Sequence, residues 1–150
     1  MKDWNILLVD DDAMVLRVHK DLLTHMGYRV VSFISPVDAL AYIDDDSNDV
    51  DMLLTDFKMP ELDGLELAHR VRKAYPELPI LILSAFADDP VFADAAQNCQ
   101  VDVMCKPAPF KQFRARIEMI RALKAAGVNF LSSVNMEPLR MQLAAEKFAA

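Results

Sequence analysis

Asp10, Asp11 and Asp12 follow directly on the apolar run Ile6-Leu7-Leu8-Val9. Related junctions occur further along: Leu53-Leu54-Thr55 leads into Asp56, Leu81-Ile82-Leu83 into Ser84, and Val103-Met104-Cys105 into Lys106. These residue types belong to one chemistry. Carboxylates brought together repel, and at least one is driven toward its neutral form unless a cation shares the site. A hard, all-oxygen donor set suits magnesium (or manganese), which keeps several waters and commonly also meets a phosphate. A carboxylate such as Asp56 can attack phosphorus to give an acyl phosphate. An ammonium such as Lys106 would screen the charge on the transferring group, and the Ser84 hydroxyl would hydrogen-bond one of its oxygens.

That chemistry requires four separate chain segments to converge, and the pattern of the chain supplies a way. Strand-like runs at residues 5–9, 28–33, 51–55, 80–83 and 101–105 alternate with helical patterns. Met14, Val18, Leu22 and Met26 recur every fourth residue as one face of a first helix, stopped by Gly27. Ser35-Pro36 opens a second, with Ser as N-cap and Pro at the first helical position, and Ala39, Leu40 and Ile43 on its apolar face. Asp63-Gly64 precedes a third, carrying Leu65, Leu67, Ala68 and Val71, and Asp88-Asp89-Pro90 starts a fourth. Lys106-Pro107 leads into a fifth with Phe113, Ile117, Ile120 and Leu123, closed by Gly127. All three glycines fall at turns or helix ends.

The expectation is an α/β fold, a doubly wound five-stranded parallel sheet with helices on both faces. Sites in such sheets lie at the carboxyl ends of the strands near a topological switch point. Asp10, Asp56, Ser84 and Lys106 all stand at such ends, so they are expected to share one crevice.

The remaining acidic clusters read differently. Asp12 is expected to cap the first helix, Asp44 to Asp46 to form a solvated turn, and Asp88-Asp89 to begin a helix. The alternation stops near Val128, which divides the chain into a domain over residues 3–126 and a C-terminal extension over 127–150. Within the extension, residues 135–148 present Met136, Leu139 and Leu143 as one helical face, with Pro138 in the first turn. This segment is either a docked extra helix or a linker to an output domain.

Bulk properties bound the function. A chain of 150 residues, 53% hydrophobic and 26% charged, suits one globular domain with an appendage. A net charge of −7 argues against nucleic-acid binding by a broad basic surface. No apolar run reaches the roughly 18 residues that span a bilayer, and Met1-Lys2-Asp3-Trp4 lacks the features of a signal peptide. Cys99 and Cys105 form no framework or metal spacing, so a reduced, cytoplasmic setting is expected.

Several segments resemble one family. Ile6-Leu7-Leu8-Val9-Asp10-Asp11-Asp12 resembles the opening of response-regulator receiver domains of two-component signalling. The stretch Leu53-Leu54-Thr55-Asp56-Phe57-Lys58-Met59-Pro60-Glu61-Leu62-Asp63-Gly64-Leu65-Glu66-Leu67 is similar to their phosphorylation segment. Leu81-Ile82-Leu83-Ser84-Ala85 and Lys106-Pro107 match the remaining two signatures, in order. The resemblance implies a flavodoxin-like (βα)5 fold and phosphorylation of Asp56 by a histidine kinase or histidine phosphotransfer protein. It implies magnesium held by Asp11, Asp56 and the backbone carbonyl of Lys58, with Asp10 assisting, and a phosphoryl group contacted by Ser84 and Lys106. It also implies a cis Lys106-Pro107 bond, which proline permits. Phosphorylation would pull Ser84 inward and alter the surface made by the fourth helix, fifth strand and fifth helix, a local charge event biasing a two-state element. The chain is then a signalling domain, at most self-phosphorylating and autodephosphorylating, rather than an enzyme.

The chain departs from the family pattern in two places. The aromatic residue usual on the fifth strand, three positions before the lysine, is Val103, so the familiar rotamer coupling cannot operate as such. The Phe common after Lys-Pro is displaced, with Ala108 in its place and Phe110 two further on. Lys58 and Phe86 occupy positions that the resemblance links to dephosphorylation, where a bulky Phe86 would either hinder attacking water or simply pack on the surface of the fourth helix. Lys111, Arg114, Arg116, Arg121 and Lys124 offer charges for a homodimer interface, but as surface charges on a helix they need no such role, and solvated decoration is the preferred account.

The sequence contains no helix-turn-helix, cyclase, phosphodiesterase or ATPase motif, so output is expected through a protein partner or an absent output domain. A haloacid-dehalogenase-type phosphohydrolase would find its Asp-x-Asp in Asp10 and Asp12, but Met14 stands where that family needs Thr or Val, and the Asp56 segment would have no role. A flavodoxin would need a phosphate loop after the first strand, which is missing. A non-phosphorylated interaction module of the same fold is the other alternative; the intact Asp10, Asp11, Asp56, Ser84 and Lys106 set argues against it.

Overall fold

Five parallel strands, β1 (Asn5–Val9), β2 (Arg29–Phe33), β3 (Met52–Asp56), β4 (Ile80–Ser84) and β5 (Asp102–Cys105), form one sheet in the order β2-β1-β3-β4-β5. The computed structural model describes residues 3–128. Expectations for the segment beyond, including the helix at 135–148, lie outside the described residues. Helices α1 (Ala13–His25), α2 (Pro36–Asp44), α3 (Gly64–Ala74), α4 (Pro90–Asn98) and α5 (Phe110–Ala125) alternate with the strands. The doubly wound α/β architecture expected from the sequence is the one observed.

The period of two along each strand sorts side chains between two cores. Leu7, Val9, Leu53, Ile80 and Ile82 face the layer under α2, α3 and α4, where Ile43, Leu67, Val71 and Phe92 meet them. Ile6, Leu8, Leu54, Leu81 and Leu83 face α1 and α5, against Leu16, Leu23, Phe113 and Ile117. Each fully buried Leu or Ile contributes roughly 1.5–3 kcal/mol. This double burial explains why the central strands read as continuous apolar runs rather than alternating ones.

Among the described residues, four of the five helices, α5 excepted, start at polar side-chain caps. Asp12 accepts hydrogen bonds from the Met14 and Val15 amides, Ser35 from Asp38, Asp63 from Glu66, and Asp89 from Val91. The predicted face of α1 is corrected. Met14 and Val18 are 79% and 54% exposed, while Leu16 and Leu23 are buried. A step of four residues overshoots a helical turn by about 40°, so a strict four-residue series winds off any one face. Strand limits shift by one residue: β3 includes Asp56 and β4 includes Ser84, which seats both side chains on the sheet itself. Gly64, at the start of α3, is required by close approach. A Cβ there would collide with the backbone carbonyl oxygen of Asp56, so the loop returns against the end of β3 only with glycine.

Candidate functional site

The strand order reverses between β1 and β3, since β2 lies on one side of β1 and β3 on the other. A crevice opens at the carboxyl ends of strands at such a point. Asp10 and Asp11 follow β1, and Asp56 ends β3. One carboxylate oxygen from each of Asp10, Asp11 and Asp56 lies within 4.8 Å of the others. Lys106 follows β5 and reaches back across the sheet: its Nζ is 2.7 Å from Asp56 Oδ1 and 3.4 Å from Asp10 Oδ2.

Ser84 ends β4, on the strand between Asp56 and Lys106, and is buried. Its Oγ accepts the Phe86 amide at 2.9 Å, and its carbonyl accepts the Lys106 amide at 3.0 Å. The second bond holds the start of the β5–α5 loop beside the end of β4. The Lys106-Pro107 peptide is cis. Lys58 lies in the β3–α3 loop, where Asp11, Phe57, Lys58, Met59, Pro60 and Asp63 line one open cleft. The structure thus brings together Asp10, Asp11, Asp56 and Lys106, sets Ser84 on the intervening strand, and puts Lys58 beside Asp11.

Exposure is graded across the acidic group: Asp10 is buried, Asp56 half-buried and Asp11 exposed. Burial pushes the Asp10 carboxyl above the usual carboxylate range, aided by the Asp56 charge. The Asp12 amide, which donates to Asp10 Oδ1 at 2.9 Å, and Lys106 oppose the rise without cancelling it. Burial alone would lower the Lys106 ammonium, but its hydrogen bond to Asp56 and the charges of Asp10 and Asp56 outweigh this and hold it above its ordinary value. Three carboxylates therefore face one nearby ammonium. A set of oxygen donors, under-neutralised and open to water on the Asp11 side, fits a hard divalent cation that retains part of its hydration shell.

The flanks of the crevice are apolar. On one side the Lys58 ammonium sits 4.3 Å from the centroid of the Phe86 ring, and Phe86 meets the edge of Phe57 at 6.3 Å. On the other, Met14, Val18, His19, Pro107 and Ala108 border a groove reaching Lys106. His19 stacks on Phe113 with centroids 5.1 Å apart, and its Nδ1 is buried without a hydrogen-bond partner. Burial, then the charge of Lys106, holds its imidazole below the ordinary histidine pKa. Sequence reasoning passed over His19, although it lies three residues after Leu16 and four before Leu23, on the true buried stripe of α1.

One expectation for α5 needs revision. Arg116 does more than decorate a solvated face: it pairs with buried Asp102 at 2.9 Å and donates to the Val103 carbonyl at 3.1 Å. Phe110 is 42% exposed, whereas Phe113 is buried, as expected from its place on the apolar face of the helix. Arg114 pairs with Glu118 one turn along, whereas Arg121 lies over Tyr28 and Lys124 over Trp4.

Comparisons with known proteins agree with this geometry. Residues 6–118 match the family model described as response regulator receiver domain. The chain is 32% identical over 126 residues to the cyclic di-GMP phosphodiesterase response regulator RpfG of Xanthomonas campestris pv. campestris, covering 80% of this chain and 32% of that protein. It is 32% identical over 118 residues to the DNA-binding transcriptional regulator NtrC of Proteus hauseri, covering 79% of this chain and 24% of that protein. The chain thus spans a third or less of the length of these two relatives. Among solved structures, an uncharacterized protein from Neptuniibacter caesariensis superposes with a TM-score of 0.72 at 27% identity, covering 88% of this chain and 93% of that one. The chemotaxis protein CheY4 of Vibrio cholerae shares the fold, with a TM-score of 0.71 at 22% identity over 78% of this chain and 98% of that one.

Proposed function

Because the chain belongs to the response regulator receiver domain family, whose members act in two-component signalling, we propose that it accepts a phosphoryl group on Asp56 and thereby switches a protein-interaction surface. The observation that carries this is the meeting of Asp56 with Lys106 at 2.7 Å, inside a carboxylate group that also contains Asp10 and Asp11.

In this reading an Asp56 carboxylate oxygen attacks phosphorus on the donor. The bond from phosphorus to the donor's nitrogen or oxygen breaks, and the leaving group departs with its electron pair and takes up a proton. Lys106, already on Asp56, moves its ammonium to the oxygens of the transferred group and screens the charge spread over them. Ser84 donates its hydroxyl hydrogen to one of these oxygens. Magnesium, when bound, supplies neutralisation of the donor and product phosphates; Asp10, Asp11, Asp56 and the Lys58 carbonyl would hold it. Asp10, buried and disfavoured as a bare carboxylate, gains most from that charge.

The physiological donor is a histidine kinase or histidine phosphotransfer protein. We take residues 3–126 as the receiver and residues 127–150 as a C-terminal extension. Relatives named as a phosphodiesterase response regulator and a DNA-binding regulator support such a division. Among the described residues no helix is long and apolar enough to cross a membrane.

Incubation with magnesium and acetyl phosphate tests the proposal by intact mass. A gain of one phosphoryl group, lost in Asp56→Asn and on chelation, is expected. No gain would favour a non-phosphorylated interaction module, and continued phosphate release over many turnovers a hydrolase.

A further inference from the structure

Phe57 directly follows Asp56, and its ring joins the acceptor strand to a helix that has few other anchors. Its backbone is held on both sides: the amide donates to Leu83 O at 3.0 Å, and the carbonyl accepts the Gly64 amide at 2.6 Å. Its ring packs on Phe92 of α4 with centroids 4.5 Å apart and meets Phe86 edge-on, with 78° between the planes. In α4 only Phe92 and Ala96 among the apolar side chains are buried, while Val91 is 79% exposed. The position of α4 therefore depends heavily on how Phe92 seats. Val103, the β5 side chain packed at the same core, is half-buried and brings no ring to the contact.

Phe86 is tied to the crevice by a separate route. Its amide donates to the Ser84 Oγ. A serine hydroxyl can accept that bond while donating its own hydrogen elsewhere. If the Ser84 oxygen shifts toward a phosphoryl group on Asp56 while keeping the Phe86 amide, the β4–α4 loop moves with it and carries the Phe86 ring along the edge of Phe57. Close-packed aromatic rings exchange between discrete arrangements rather than deforming smoothly.

We propose that Phe86, Phe57 and Phe92 form an aromatic coupling that transmits the state of Asp56 and Ser84 to α4, with Phe57 as its fixed centre. The inference rests on Asp56 being the phosphoryl acceptor. Phe57 acts as a positioning residue, working through its neighbours rather than on phosphorus. The coupling does not require an aromatic side chain on β5, which this chain lacks.

Amide hydrogen exchange of the full chain, before and after phosphorylation by acetyl phosphate with magnesium, tests the coupling. Intact mass reports the phosphorylated fraction in the same samples. Wild type is expected to gain the phosphoryl group and to change exchange rates across Pro90–Asn98. Phe57→Leu, corrected for its phosphorylated fraction, is expected to lose more than half of that change. Phe92→Leu, altered on α4 and outside the group of carboxylates, is expected to keep the mass gain and lose the change equally, and it carries the test should Phe57→Leu not fold. Comparing each variant with its own unphosphorylated form removes any effect on α4 stability alone. A wild-type response retained in both variants overturns the coupling. A mass gain with no exchange change in wild-type α4 also overturns it and leaves the acceptor reading intact. No mass gain at all overturns both.

Discussion

The two ends of the same sheet treat their polar residues in opposite ways. At the amino ends, polar groups are saturated. Arg72 donates to the carbonyls of Tyr75, Pro76, Leu78, Cys99 and Gln100, at 2.6 to 3.3 Å. The Asn5 side chain donates to Asp49 O, and its amide donates to the Asp51 carboxylate. At the carboxyl ends, three carboxylates crowd together and share one nearby lysine. A fold under selection for stability alone pairs its polar groups as the amino ends do. The unbalanced end is where an incoming cation and phosphate have something to complete.

The contrast predicts that the two ends fail in different assays. Asp56→Asn should abolish phosphoryl transfer outright, read as the missing mass gain, while leaving a cooperative urea transition. A variant that unfolds would place Asp56 among the structural polar groups instead. Arg72→Ala should do the reverse. Losing one charged donor and stranding several carbonyls, in a half-buried site that water partly reaches, costs about 2–3 kcal/mol. The unfolding free energy should fall by that amount, read as a lower urea midpoint, while the folded protein still gains its phosphoryl group.

A smaller effect is expected at the rim of the active end. Phe86, contacted by Lys58 and Phe57, is expected from the resemblance to hinder water attacking an acyl phosphate. Phe86→Ala should shorten its lifetime several-fold, followed by the loss of phosphoprotein mass after the donor is removed. An unchanged rate would discard that role.

The smallest effect concerns His19. Its folded-state pKa lies below 6.5 because of burial. The unfolded chain therefore takes up this proton first as pH falls, and stability attributable to His19 is full above 6.5 and declines as pH drops through that value. Comparing urea midpoints at pH 7.5 and near 5.5 should show a drop that is smaller in His19→Phe, which keeps a ring on Phe113. Equal drops would mean that the Nδ1 is hydrated in solution.

Much of the architecture was legible because local rules and tertiary demand agree. β1 lies at residues 5–9 as predicted, and the caps at Asp12, Ser35, Asp63 and Asp89 follow from side-chain chemistry that acts within three residues. Reading failed where a side chain's fate depends on partners far along the chain. The face of α1 was misplaced because apolar residues at positions 14 and 18 point to a groove beside Lys106, while a histidine takes part in the buried stripe. The role of Arg116 was missed because its partner, Asp102, is buried only once β5 and α5 are docked. Gly64 was read as falling at a turn or helix end and it opens α3, but its reason, the approach of the Asp56 carbonyl, has no local signature.

By itself the sequence determined which groups end the strands, and hence that carboxylates, a hydroxyl and an ammonium were available, since apolar runs must stop where side chains meet water. Only the tertiary structure decided that Lys106, fifty residues beyond Asp56, lies within a hydrogen bond of it, and that the ring of the next residue, Phe57, packs on Phe92 of α4. Chain connectivity limits which segments can be neighbours, but strand order and packing set the last few ångströms, and charge interactions and ring contacts are decided at that range.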